Sequence, residues 1–398
     1  MKYGALTFDT QTVESNGFDF DGKLLAQLKQ FAKGSPNVLI SEIVVEEVRR
    51  HLEAHVLAAK DGLEKAHRDA LRYGLKPAAD QPFVQPPDPV AVARARLDNY
   101  LAEIGAIIIA AKAAPMDEVV RRYHHGLPPF SKGKKKAEFP DAIALLSLEL
   151  YAKGNKTKIL AVSGDGDWKA FGEKSEHIEV VSKLGDALSK LQGDAQKPEE
   201  PDKSEEYAAR ALADIKSGKN PSLAAQFEKL LSEAISSADV TAEGSSAHHF
   251  EPDSVEVTLS SYELEDDPEM MGLQIVRAGG GIIVASFDLR VVVDADASFS
   301  MSIWDSIDRE YVGMGPSYAR KEDEEVEVRA LVTLEGDFAA DRIDVTKVEL
   351  IEGLDEIDFG EIEIDYGDPY DGEGPDEKEV ENNEPDEQAA EPEQEEPM

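Results

Sequence analysis

The stretch Ile159-Leu160-Ala161-Val162-Ser163-Gly164-Asp165-Gly166-Asp167-Trp168 decides how this chain is read. An apolar run, Ile159 to Val162, stops at a small turn carrying two carboxylates, and a helix-compatible segment, Trp168 to Phe171, begins directly after it. This is the pattern of a parallel strand ending at the carboxyl edge of a sheet, where open α/β folds place their chemistry. Three earlier acids stand in comparable settings. Asp9 follows the apolar stretch Tyr3 to Phe8, Glu47 lies in the helix after Val38-Leu39-Ile40, and Asp141 sits in the first turn of a helix opened by Phe139-Pro140. Proline and an acid are what a helix start favours.

Outward from that stretch, the first half alternates strands and helices. Asp19 to Phe31 has Leu24, Leu25, Leu28 and Phe31 at helical spacing, and Ser41 caps a helix through Val44, Val48, Leu52 and Val56 towards Tyr73. A proline-rich connection at 76–89, a helical segment at 90–112 and a short helix at 115–123 make 50–130 a helical insertion between two strands. The helix at Ile143 to Leu150 is apolar on most sides. Strand 158–162, strand 178–181 and helix 183–191 complete an α/β unit over residues 1–192, a parallel sheet flanked by helices. Residues 193–204 read as a linker and 205–245 as a helical connector, with helices at 205–215 and 223–235. From 246 to 366 the apolar period changes to two, as in Phe287, Leu289, Val291 and Val293, which predicts an antiparallel β domain, a sandwich or partial barrel. Gly279-Gly280-Gly281 lacks the Lys-Ser/Thr of a phosphate loop and reads as a hairpin turn. From 367 onward the chain is Glu, Asp, Pro and Gln with Lys378 its only base, a composition that predicts a disordered acidic tail.

The net charge of −40 would repel nucleic acid if it were spread evenly, but it is not. Residues 1–195 carry 27 acids and 27 bases, so the whole excess lies in the remainder, and a polyanionic substrate on the first half is not excluded. The absence of cysteine removes disulfides, thiolate metal sites and cysteine nucleophiles together. The N-terminus lacks the apolar core of a signal peptide, and no run approaches the ~18 apolar residues of a membrane span. The expectation is a soluble, cytoplasmic protein without membrane contact.

Four acids on separate elements converge only if each lies at one sheet edge or at a helix start facing it. Two ionised carboxylates ~4 Å apart repel by about 4 kcal/mol at an effective dielectric of about 20. Such a pocket requires a cation or protons. Oxygen-only donors select Mg²⁺ or Mn²⁺, which bind phosphate oxygens beside carboxylates and activate water, so phosphodiester hydrolysis is the natural chemistry.

These residues resemble those of the PIN-domain nucleases. The resemblance is carried by Leu6-Thr7-Phe8-Asp9-Thr10, by Ile40-Ser41-Glu42 running on to Glu47-Val48, by Phe139-Pro140-Asp141-Ala142, and by Val162-Ser163-Gly164-Asp165-Gly166-Asp167-Trp168. It covers about 1–190, interrupted by the helical insertion. It implies a Mg²⁺- or Mn²⁺-dependent endoribonuclease acting on single-stranded RNA, with Asp9, Glu47, Asp141 and Asp165 as catalytic metal ligands and Asp167 as a supporting acid. Ser163 would hold the turn and stand on the substrate side. Periodicity alone does not choose between Glu46 and Glu47, and the resemblance favours Glu47. Gln11 departs from the asparagine the family often has beside its first aspartate. Such domains often pair, so a homodimer is also implied.

The run Lys132-Gly133-Lys134-Lys135-Lys136 lies just before Asp141, placed to grip substrate phosphates, and Arg121 and Arg122, with His124 and His125, extend that basic rim. Each also reads as a solvated surface charge. Asp165-Gly-Asp167 is not a calcium loop, because Lys169 and Ala170 stand where such a loop needs an oxygen ligand and a glycine. Asp305 and Asp308, near Trp304, read as turn and surface acids. The alternative function is a catalytically idle PIN-like scaffold that binds a protein partner through its acidic β domain or lays that domain over the lysines at 132–136.

Overall fold

A computed structural model describes residues 2–75, 87–130, 138–195 and 203–363. The lysines at 132–136, much of the linker and the acidic tail lie outside these residues.

Five strands, β1 (Ala5–Phe8), β2 (Asn37–Ser41), β3 (Ile107–Ile109), β4 (Ile159–Val162) and β5 (Ile178–Val181), form one sheet in the order β3-β2-β1-β4-β5, every pair parallel. Successive side chains of a strand point to opposite faces. Leu6, Phe8, Val38, Ile40, Leu160 and Val162 accordingly enter one core, while Ala5, Leu39, Ile159 and Ala161 enter another. Being apolar on both sides, the sheet must be covered on both. Helices α3 (Glu42–Arg72), α4 (Pro89–Glu103) and α8 (Leu184–Ala195) contribute to the first core. Helices α5 (Met116–His125), α6 (Phe139–Gly154) and α7 (Gly166–Gly172) contribute to the second. A short helix, α1 (Thr10–Ser15), follows β1, and a second, α2 (Lys23–Gln27), with a 3-10 turn at Leu28–Phe31, occupies the stretch expected to hold one helix from Asp19.

Among its described residues the expected helical insertion holds helices α3, α4 and α5, but Ile107–Ile109, expected to be helical, form β3, which joins the sheet through Leu39↔Ile107 and Ile40↔Ile108. Three consecutive β-branched residues favour the pleated surface, and Gly105 breaks α4 just before them. Gly105 takes φ +64°, and a Cβ there would lie 2.7 Å from the carbonyl oxygen of Ala32. Replacing Gly105 by Ala is therefore expected to cost about 1–3 kcal/mol. A urea melt whose midpoint does not move would contradict this.

The C-terminal half is built on two very long strands, β9 (Ile282–Asp305) and β10 (Glu310–Asp337). With β7 (His249–Glu263) and β11 (Arg342–Glu352) they form an antiparallel sheet in the order β11-β10-β9-β7, and β8 (Gln274–Gly279) also pairs with β9. The three glycines make the β8–β9 hairpin, with Gly280 at φ +64°. Asp305 accepts a hydrogen bond from the Ile307 amide at 2.7 Å and so serves the β9–β10 turn. A parallel pair, β6 (Thr241–Ser245) with β12 (Glu356–Glu361), completes the strands described.

The sandwich or barrel expected from the period-two pattern is not what forms. Helices α9 (Ser204–Ser217) and α10 (Pro221–Ser236), expected to be a connector, cover the sheet instead. Leu212, Ile215, Phe227, Leu231 and Ile235 pack with Phe287, Leu289, Val291, Val328 and Val332, all buried. The amphipathic helix pair supplies the apolar layer that a second sheet would otherwise have provided. The opposite side of the sheet reaches the N-terminal unit. Val276, Val284 and Leu331 belong to the same core as Leu24, Leu184 and Leu188. Hydrogen bonds from the Lys23 amide to Glu349 at 2.9 Å and from Gln30 to the Val276 carbonyl at 3.0 Å join the two parts. No helix among the described residues is long and apolar enough to cross a membrane.

Candidate functional site

Strand order reverses direction between β1 and β4, and that is where an open parallel sheet leaves a crevice at its carboxyl edge. Phe8 pairs with Val162, and Val162 with Val181, so three strands end level. Asp9 and Ser163 are the next residues on the two central strands. Their amides continue the ladder, Asp9 N–H to Val162 O at 3.1 Å and Ser163 N–H to Val181 O at 2.9 Å.

Asp9 is 5% exposed, and its carboxylate is held from both sides. As the N-cap of α1 it accepts from the Thr12 amide at 2.7 Å, and the Thr12 hydroxyl lies 2.6 Å from the same oxygen. The Ser163 hydroxyl donates to its other oxygen. Ser163 also accepts from the Asp165 amide at 3.1 Å, so one hydroxyl ties the first aspartate to the turn that carries another. Ser163 is fully buried with its hydroxyl engaged on both sides, which corrects its placement among substrate-side residues: it frames the pocket from within.

Asp165 is exposed and caps α7, accepting from the Asp167 amide at 2.5 Å. Asp167 is half-buried in the first turn of that helix. Glu47 is half-buried and accepts from the Thr10 hydroxyl at 3.0 Å. Glu46 faces solvent and pairs with Arg49 at 2.5 Å, so the structure separates the two glutamates that periodicity left equal.

Asp141, half-buried at the start of α6, accepts from the indole N–H of Trp168 at 2.8 Å. Its pKa is pushed up to about 6, first by burial and then by the charges of Asp165, Glu47 and Asp9, against the lowering effect of the Trp168 bond. Asp141 thus feels the charge of the other three acids, and none of the four forms an ion pair with a described lysine, arginine or histidine. Among the described residues, no three Asp, Glu or His side chains are drawn tightly enough together to enclose an ion. The donors nonetheless fit a hard divalent cation in kind, being all carboxylate oxygen, mutually repulsive and partly desolvated. Mg²⁺ keeps several of its waters and needs only one or two protein carboxylates, so a closed cage is not required.

The basic rim divides. Arg121 and Arg122 both bind Glu118, Arg121 through two bonds of 2.6 and 2.7 Å, and together they hold the Glu118 carboxyl down at about 2. Arg122 also donates to Pro128 O at 2.6 Å and lies over the Phe171 ring at 4.9 Å. With 16% of its side chain exposed, Arg122 braces α5 against α7 and is a poor substrate contact, whereas Arg121 stays at the surface. Lys132, Lys134, Lys135 and Lys136 fall outside the described residues.

Sequence reasoning missed Thr10, Thr12 and Trp168 as the groups that orient the acids. The Asp9-x-x-Thr12 spacing is an N-cap signal and could have found one of them. The Trp168–Asp141 bond spans 27 residues and leaves no local signature. Gln11, weak as a site residue on sequence grounds, has its side-chain oxygen 2.9 Å from where a Cβ on Gly164 would stand, so it lies over the acidic turn.

Searches of curated proteins and of solved structures returned no match. A family model described as the PIN domain matches residues 6–168, from β1 to the tryptophan that holds Asp141. The parallel sheet, the helices on both faces and that match together identify the N-terminal part of this chain as a PIN domain, a family whose members are generally nucleases that typically use divalent metals.

Proposed function

We propose that the PIN domain is an endoribonuclease that hydrolyses single-stranded RNA, with Mg²⁺ or Mn²⁺ held by Asp9, Glu47, Asp141 and Asp165. The observation that carries this reading is the raised proton affinity of Asp141, caused first by burial and then by the charges of Asp165, Glu47 and Asp9. Such a pocket is stable in its charged form only when a cation shares it. The ion, when bound, supplies a water of lowered pKa and neutralises charge on the phosphate.

The remaining work falls to this chain's own groups. Ser163 and Thr12 fix Asp9 so that it cannot rotate away from the crevice. Thr10 aims Glu47, and Trp168 aims Asp141 by holding one of its oxygens. Asp165 sits on the exposed lip where a phosphate arrives, with Asp167 half-buried beside it. The lysines at 132–136 and Arg121 are assigned to substrate phosphates farther out. Pairing of two copies and a cytoplasmic setting belong to the same proposal.

Incubation of the full chain with a labelled single-stranded RNA tests it. Cleavage is expected with Mn²⁺ or Mg²⁺, leaving 5′-phosphate and 3′-hydroxyl ends, and is expected to be absent with chelator and in Asp165→Asn. Equal decay with and without chelator, or full activity of Asp165→Asn, would overturn the reading.

A second reading, an idle scaffold that binds through its β domain, is favoured by one feature. The tip of the β9–β10 hairpin exposes Trp304, Ile307, Tyr311 and Val312, a concentration of apolar surface that is uncommon on a free sheet end. That reading requires RNA to survive intact with every divalent ion, so the same incubation separates the two.

A further inference from the structure

The β domain does more than pack beside the PIN domain. A cleft of about 230 Å³ opens between the two, lined on one side by Gln11, Asn16, Ser182 and Lys183 and on the other by Ile351 and Glu352 of β11. Its wall includes Thr12 and Gly164, which stand next to the acidic residues. Gln11 directly follows Thr10, which holds Glu47, and lies over Gly164, which separates Ser163 from Asp165. Thr12, which holds Asp9, also lines the cleft.

Position along the sheet edge explains why a cation stands there. Val181 ends level with Val162 and Phe8, so Ser182 and Lys183 leave the third of three adjacent strands where Asp9 and Ser163 leave the other two. Adjacent strands lie about 4.8 Å apart, which puts the backbone at this point about 10 Å from Asp9. One strand of RNA can touch both. Lys183 is 60% exposed, but its ammonium is bound to the Glu352 carboxylate at 2.6 Å. Glu352 reaches it from the β domain, whose excess of acids was expected to fall on the lysines at 132–136.

We propose that this cleft is a nucleotide subsite for the RNA strand leaving the acidic pocket, and that Glu352 competes with an RNA phosphate for Lys183. Gln11, with an amide that both donates and accepts, meets the polar edge of a base, and Ile351 offers an apolar surface to its face. The Lys183–Glu352 pair is a surface ion pair between well-exposed groups, and such pairs are weak enough for a phosphate to displace. The β domain thereby lowers affinity for RNA without touching the acids. This rests on the nuclease reading for the direction of the strand, but its test does not need cleavage.

The experiment measures binding of a fluorescent single-stranded oligoribonucleotide to the full chain in chelator, where no cutting is expected, across a salt series. Glu352→Gln is expected to tighten binding about fivefold, the scale of an exposed ion pair. Lys183→Gln is expected to weaken it and to lower the slope of log affinity against log salt by about 0.7, the loss of one phosphate contact on a single strand. The double variant is expected to match Lys183→Gln, because Glu352 then has nothing to mask. If the wild type binds RNA and neither single variant changes affinity or slope, the subsite is overturned while the nuclease reading stands. Tighter binding of Glu352→Gln that persists in the double variant would reduce Glu352 to general repulsion and overturn the competition. Absence of RNA binding in the wild type and in Glu352→Gln alike overturns the subsite, and the nuclease reading is then decided by the cleavage test with metal.

Discussion

Asp141→Asn is expected to abolish RNA cleavage, by about a thousandfold, and at the same time to make the metal-free protein more stable. The first effect follows from removing a charge from the pocket proposed to hold the ion, at the upper end of what one electrostatic group contributes. The second follows from the pKa of about 6, against an ordinary value of 3.8. A carboxyl whose pKa is raised by folding binds its proton more tightly in the native state, so stability falls as pH rises between about 4 and 6 and stays low above. Two units correspond to about 3 kcal/mol at most, with solvent screening reducing it. Asparagine removes that charge and keeps an oxygen to accept from the Trp168 indole, so the bond at 2.8 Å survives. In chelator at pH 7.5 the variant should melt a few degrees higher than the wild type, and the gain should vanish towards pH 4. Added Mn²⁺ should reverse the order by stabilising the wild type more. Metal affinity of the wild type should fall as pH drops below about 6, because the ion must then displace a proton from Asp141. Calorimetry with and without metal, across pH, checks the set. A variant less stable than wild type in chelator at every pH would show that the four acids do not strain one another.

The second large effect concerns the boundary between the two halves. A chain ending at residue 195 is expected to lose its cooperative fold or to aggregate. Val276, Val284 and Leu331 come from the β domain yet complete the core around Leu24, Leu184 and Leu188. Each buried aliphatic side chain is worth about 1.5–3 kcal/mol, and three of them approach the total stability of a typical domain, about 5–15 kcal/mol. Circular dichroism melting and sedimentation of the 1–195 fragment beside the full chain check this. A fragment that stays monomeric and melts at the same temperature would mean that the shared core contributes nothing. The practical corollary is that deleting the β domain tests packing and not regulation, so any influence of that domain on RNA must be probed by point variants.

Much of the acidic edge was legible because it is written locally. An apolar run followed by Ser163-Gly164-Asp165 has few structural meanings, and Asp9 and Asp141 stand at equally plain transitions. Glu47 was legible only through resemblance, since choosing it over Glu46 depends on which side of α3 turns inward. Segments whose structure is decided elsewhere were not legible. Ile107-Ile108-Ile109 becomes a strand because β2 offers an open edge. Helices α9 and α10 become the cover of a sheet because Phe287, Leu289 and Val291 need one. Their own periodicity says only that each has an apolar side. The pairing of Lys183 with Glu352, 169 residues apart, is of the same kind.

The level ending of β1 and β4 has a consequence in time. Asp9 and Ser163 meet across a separation of 154 residues, and contacts of such span form late, since the intervening chain must first be ordered. A polypeptide emerging from the ribosome carries Asp9 early but cannot seat it until β4 brings Ser163. On the nuclease reading proposed above, a newly made chain would thus stay harmless to the message it is being read from until the β domain has followed and Val276, Val284 and Leu331 have closed the core.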